Sequence, residues 1–278
     1  MTISHDFTPQ PIAFIGAGNM TQAIIKGMVA GGYPSNLIMA TNPSRTKLDE
    51  LTAATGIHIS QDNQAALTFA KTIVLAVKPQ MLASVCTALP EEAIAACSFI
   101  SIAAGVTVER LQKMLQADRP IVRTMPNTPS AIGMGMTGLY ADIDTPIALK
   151  EAAEFALAQV GDVLWVEQES DINTVIAAAG SSPAYVFLFA EAMQAKAQAL
   201  GLPAQDAKRL VGQALAGAGA MLIAQPEIEF STLRENVTSK GGTTAKAIEH
   251  FNQAQLADII AGAMQAAVDR AIEMQSSM

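Results

Sequence analysis

The chain has 278 residues, half of them hydrophobic, and a formal net charge of −8 at pH 7. That length suits two domains around a large core, and that acidity argues against a nucleic-acid groove, which needs a basic stripe. Two cysteines, Cys86 and Cys97, with no CxxC pair or histidine cluster, point to buried reduced thiols and to no metal centre.

In chain order, Met1 to Gln10 is polar, carries Asp6 and lacks the apolar run of a secretory leader. Pro11 to Ile15 then reads as a strand and Gly16-Ala17-Gly18 as a tight turn. A helix follows, with Ala23, Ile24, Gly27 and Met28 at helical spacing. Gly16 permits the turn and Gly18 lets the backbone approach a pyrophosphate. The helix start at Asn19 and Met20 offers unpaired N–H groups and a positive dipole end. Thr21 occupies the third small position. A buried strand followed by any turn looks the same locally, but strand before and helix after favour a dinucleotide.

The second strand, Leu37 to Thr41, ends at Asn42-Pro43-Ser44-Arg45. An acid that would hold the ribose 2′-hydroxyl of NADH is absent there, whereas Ser44 and Arg45 offer a hydroxyl and a cationic fork for a 2′-phosphate. NADPH is the expected cofactor, with NADH possible. A third strand, Ile57 to Ile59, leads to Asp62-Asn63. The apolar run Thr72 to Val77 reads as a central parallel strand that brings Ala76 and Lys78 to the carboxyl edge of the sheet.

Two further strands, Ser98 to Ile102 and Ile121 to Thr124, repeat the rhythm. The second runs into Met125-Pro126-Asn127-Thr128-Pro129, whose two prolines hold the Asn127 amide either beside a nicotinamide ring or in a plain proline-rich turn. Strands near Gly133 to Tyr140 and Val163 to Val166 flank an Ala-rich helix from Pro146 to Gln159. Gly16, Gly18, Asn19, Met20, Asn42, Ser44, Arg45, Asn63, Ala76, Lys78 and Asn127 are therefore the candidate cofactor contacts.

Beyond Glu167 only helices are expected, separated at Gly180, Gly201, Pro226 and Gly241-Gly242. The pattern predicts an α/β fold: an N-terminal Rossmann-like domain over residues 1–167, followed by an all-α dimerisation domain over residues 168–278. Ser182 reads as a helix N-cap with Pro183 in the first helical position. Leu210 to Ala224 is apolar or small nearly all round, with Gly212, Ala216 and Ala220 spaced for close helix approach, so a second subunit is expected to cover it. Ala184 to Ala190 stops at Glu191, short of the ~20 residues of a membrane span, and a cytoplasmic protein is expected. In the last informative stretch, Thr238, Ser239, Thr243 and Thr244 surround Gly241-Gly242 just before a helix. That arrangement suits either a small carboxylate or a well-capped helix start. His5, His58 and His250 are scattered and are not taken as catalytic.

Together these stretches resemble the pyrroline-5-carboxylate reductase family over almost the whole chain. The resemblance rests on Phe14-Ile15-Gly16-Ala17-Gly18-Asn19-Met20, Ala76-Val77-Lys78-Pro79, Met125-Pro126-Asn127-Thr128-Pro129, Gly180-Ser181-Ser182-Pro183-Ala184-Tyr185 and Val237 to Thr244. It implies an oxidoreductase of proline biosynthesis that reduces 1-pyrroline-5-carboxylate with NAD(P)H. It also implies interlocked helical domains in a dimer, with a ring of dimers as a further assembly. Ser239, Gly242, Thr243 and Thr244 would bind the substrate, with the Thr244 hydroxyl near the ring nitrogen as the catalytic group. Thr21 and Lys240 depart from the family, which has Ala or Gly and Pro there. A β-hydroxyacid dehydrogenase shares the two-domain plan but needs a lysine soon after Gly180, and the first is Lys196. A non-catalytic NADP-binding dimeric regulator is the other alternative, kept open by Lys240.

Overall fold

The computed structural model describes residues 8–277. Residues 1–7, which include Asp6 and His5, lie outside the described residues. The chain divides into two units, one running up to Ser181 and taking up the chain again from Ala267, the other comprising Ser182–Ala266.

The first unit is built on eight strands: β1 (Ile12–Ile15), β2 (Ile38–Thr41), β3 (His58–Ser60), β4 (Thr72–Leu75), β5 (Ser98–Ser101), β6 (Ile121–Met125), β7 (Gly135–Ala141) and β8 (Gly161–Trp165). They form one sheet in the order β3-β2-β1-β4-β5-β6-β7-β8. All pairs are parallel except β6 with β7. Strands buried on both faces must read as continuous apolar runs, and β1 shows why. Ile12 and Phe14 enter one core with Ile24, Ile25 and Met28, while Ala13 and Ile15 enter the other with Leu67 and Leu82.

The helices between strands are α1 (Asn19–Ala30), α2 (Arg45–Thr55), α3 (Asn63–Phe69), α4 (Pro79–Thr87), α5 (Glu91–Ile94), α6 (Val108–Leu115) and α7 (Ile147–Ala158). Register places the carboxyl ends of neighbouring strands side by side: Ile15 against Thr41 and Leu75, and Leu75 against Ser101. The order reverses at β1, which is where open α/β sheets bind ligands.

After β8 come α8 (Asp171–Val175), a π turn (Ile176–Gly180), α9 (Ser182–Ala199), α10 (Ala204–Ala224), α11 (Phe230–Asn236), α12 (Thr243–Gln253) and α13 (Leu256–Ser277). The helix expected at Ser182 is present as α9, but Ser182 is its first residue and not a cap outside it, and Ser181 before it already has right-handed helical backbone angles, φ −92° and ψ −24°. The helical path runs from Asp171 to Ala199 over 29 residues, long and apolar enough by composition to cross a membrane. Reading breaks at Gly180 and Glu191 hides that length. Within Ser182–Ala266 only Ala207 and Val211 are buried, whereas Phe187, Leu188, Leu210 and Ile223 are all more than half exposed.

Arg123, on β6, is 1% exposed. Its Nη1 donates to Glu169 Oε1 at 2.9 Å, and the same oxygen accepts the N–H of Val108 at 2.7 Å. The carboxylate thus ties the sheet and the start of α6 to the segment leading into α8. Both cysteines are buried free thiols, and burial pushes Cys86 up to about 11.

Candidate active site

The turn after β1 has the form that a diphosphate requires. Gly16 has φ +110°, and a Cβ there would lie 2.6 Å from the Ala76 carbonyl oxygen, so the turn is pressed onto the end of β4. At Gly18 nothing lies within 4 Å of a built Cβ, which leaves open space above the turn. Gly18 caps α1 without a side chain, and the first turn of α1 holds no acid. The N–H groups of the first turn, Asn19 and Met20 among them, have no partner within the helix, and the dipole favours an anion. These residues fit a dinucleotide.

Asn42 braces that turn, its Oδ1 accepting the Ala17 N–H at 3.3 Å while its Nδ2 donates to the Ser44 carbonyl at 3.3 Å. Ser44 stands at the N-cap of α2 with no side-chain capping bond. Arg45 is exposed and spends only its Nε, on Asp49 Oδ1 at 2.8 Å; such a surface pair is worth at most about 1 kcal/mol. Neither Nη group makes a hydrogen bond among the described residues. Asn63 opens α3, and its Oδ1 accepts the Thr41 hydroxyl at 2.6 Å at the end of β2. Lys78 is exposed at the N-cap of α4.

Asn127 sits deeper than its loop suggests, 8% exposed. Its Oδ1 accepts the Met136 N–H at 2.9 Å, and its Nδ2 donates to the Ala179 carbonyl at 3.0 Å. That carbonyl belongs to the π turn. Four residues on stands Pro183, which has no N–H to offer it, so the amide supplies what the proline withholds. Both ends of the side chain are therefore engaged within the protein. Every peptide bond among the described residues is trans, including those before Pro126 and Pro129.

In the helical unit, the stretch between α11 and α12 is a tight turn. The Gly242 N–H donates to the Ser239 carbonyl at 3.0 Å, Gly241 has φ +75°, and Lys240 occupies the turn's second position. Positive φ at the third position is the glycine-demanding feature of a type II turn. A Cβ on Gly242 would lie 2.6 Å from Ser239 Oγ, so the missing side chain is what lets that hydroxyl lie over the turn. Gly242 also caps α12 without a side-chain bond, and no acid stands in the first turn. Its own N–H is used by the turn, which leaves those of Thr243 and Thr244 at the helix start. Ser239, Thr243 and Thr244 are exposed.

Sequence reasoning missed the π turn and the Arg123–Glu169 pair. Pro183 four residues beyond Ala179 is a legible signal for the first; the second joins residues 46 apart and has none. Among the described residues no three His, Cys, Asp or Glu side chains group as a metal site. His58 packs on Phe69 at 5.3 Å between ring centres, and His250 lies in the last turn of α12.

Comparison with known proteins adds the following. Residues 169–274 match the family model for pyrroline-5-carboxylate reductase dimerisation, and residues 11–105 match that for NADP oxidoreductase, coenzyme F420-dependent. The chain is 54% identical over 264 residues to the pyrroline-5-carboxylate reductase of Vibrio alginolyticus, covering 95% of this chain and 97% of that one. It is 45% identical over 268 residues to that of Pasteurella multocida, covering 95% and 97%. Among solved structures, a pyrroline-5-carboxylate reductase from Coxiella burnetii superposes with a TM-score of 0.88 at 39% identity, over 96% of this chain and 99% of that one.

Proposed function

The chain belongs to the pyrroline-5-carboxylate reductase family, and from that premise we propose how its own residues serve the reaction. It is an oxidoreductase that reduces 1-pyrroline-5-carboxylate to L-proline with NAD(P)H, the last step of proline biosynthesis, and it forms a dimer. What carries the site reading is that one chain holds two helix starts capped by glycine alone, at Gly18 and Gly242. Each suits one of the two anionic reactants.

Gly16, Gly18, Asn19 and Met20 hold the diphosphate, braced by Asn42. Ser44 and Arg45 receive the 2′-phosphate and favour NADPH, while Asn63, Ala76 and Lys78 border the site along the carboxyl edge. Asn127 acts by holding its loop to β7 and to the π turn. Bound NADPH supplies a hydride from its nicotinamide ring. The Ser239 hydroxyl and the N–H groups of Thr243 and Thr244 bind the substrate carboxylate, and Gly242 makes room for them. The imine reacts as its iminium, the nitrogen having taken a proton from water, so that hydride addition gives the neutral secondary amine; the Thr244 hydroxyl hydrogen-bonds at the ring nitrogen and orients the ring, and is too weak an acid to supply that proton by itself. Positioning of this kind is worth ~7–11 kcal/mol of barrier, so the chemistry asks little of acidic or basic side chains. We further propose that dimers assemble into a ring, and that the protein works in the cytoplasm on a free small molecule, without nucleic acid or membrane as partner.

The test is steady-state kinetics of two variants with NADPH and NADH. Thr244→Ala is expected to lower turnover by about 10²–10³ with NADPH affinity unchanged. Arg45→Ala is expected to raise the KM for NADPH about tenfold and leave NADH alone. Equal loss with both cofactors in the Arg45 variant overturns the phosphate assignment.

A further inference from the structure

We infer that Lys240 is a specificity-determining residue, its ammonium group drawing the carboxylate of the cyclic imine to the start of α12. The inference rests on the reading of that loop as the carboxylate site.

The charges around the loop single this residue out. Arg234, before the loop, faces Glu235 at 3.4 Å, and Lys246, after it, faces Glu249 at 2.7 Å. Those two cations are locally neutralised. Lys240, exposed at the second position of the turn, makes no ion pair among the described residues. Two residues on, α12 begins with a glycine cap and no acid in its first turn, so the positive end of its dipole, about half a charge, is uncompensated. The cation and the helix end add.

The rest of the molecule makes that addition matter. With a formal charge of −8, the chain as a whole repels an anionic substrate. A local positive field reverses that repulsion at the one place where the carboxylate must land. An exposed ammonium acts through capture of the substrate more than on the bound state, so its mark is on KM and on salt dependence.

The experiment measures initial rates of wild type, Lys240→Gln and Lys240→Arg. Two imines are compared, pyrroline-5-carboxylate and 1-pyrroline, which is the same ring without the carboxylate, each at low and at high salt. Lys240→Gln is expected to raise the KM for the carboxylated imine about three- to tenfold, with kcat within about twofold. Its KM should also lose the rise with salt that the wild type shows, because only repulsion by the acidic chain is left to be screened, Lys240→Arg should behave as wild type, and the KM for NADPH should not move. An unchanged KM and salt slope in Lys240→Gln overturns the inference. So does an equal loss on both imines, which would mark a disturbed turn. A wild-type protein that reduces no carboxylated imine overturns the functional reading itself, whereas wild-type turnover with a charge-insensitive KM overturns only the role of Lys240.

Discussion

Gly242 shapes the loop before α12 by what it lacks. A methyl group there would meet Ser239 Oγ at 2.6 Å and the Ser239 carbonyl oxygen at 3.1 Å, so Gly242→Ala must displace the hydroxyl proposed to face the carboxylate. Misplacement on the ångström scale costs about a hundredfold in rate. We expect that loss in kcat/KM for the imine, with NADPH titrations unchanged; a variant with full activity contradicts the loop geometry. Thr21 is the opposite case, a group present without use. Its side chain is 1% exposed and Oγ1 has no hydrogen-bond partner, which is the condition that costs about 1–3 kcal/mol. Thr21→Val keeps the shape and drops the hydroxyl, and is expected to raise the unfolding free energy by about 1 kcal/mol in urea titrations. Both positions are visible in the sequence, Gly242 as half of a double glycine and Thr21 as the odd member of a glycine fingerprint. Neither the buried hydroxyl nor the contact with Ser239 is visible there, because each depends on packing.

Elements were legible where local chemistry agrees with tertiary demand. The strands of the sheet announce themselves because burial on both faces forces apolar runs such as Ile73 to Leu75, and α7 falls within the Ala-rich stretch expected for it. The helix beginning at Asp171 shows where this agreement ends. Ser-Pro is a good start signal, yet here the backbone before it is already helical. The proline is absorbed by a π turn, in which the Ser181 N–H reaches back to Ile176 at 2.7 Å. The carbonyl that Pro183 does not serve is bonded by Asn127, an amide 52 residues away, and no local rule anticipates that pairing. If the amide is the brace described here, Asn127→Ala removes two partly buried hydrogen bonds and costs about 2–3 kcal/mol. Thermal and urea unfolding check this; a loss below about 0.5 kcal/mol, the size of an ordinary surface substitution, contradicts it.

At the scale of the whole molecule, the helical unit is half of a structure. Phe187, Leu188, Leu210 and Ile223 lie more than half exposed in one chain, and Gly212, Gly217 and Gly219 on α10 have open space where a Cβ would stand. Large apolar side chains left exposed in such number mark an interface, and the sequence foresaw the need to cover α10 though not how much of the unit is exposed. Because the dimer stabilises each fold, the Tm is expected to rise by about 5–10 °C over a hundredfold increase in protein concentration. A concentration-independent Tm would contradict it, unless the transition is irreversible by rescan. The reaction itself is tested most directly by the initial rate of NADPH oxidation with pyrroline-5-carboxylate, run beside the same assay with a 3-oxo acid. The account predicts rapid turnover with the imine, L-proline formed mole for mole with NADPH consumed, and no turnover with the oxo acid. A folded dimer that binds NADPH and leaves the imine unreduced would contradict it.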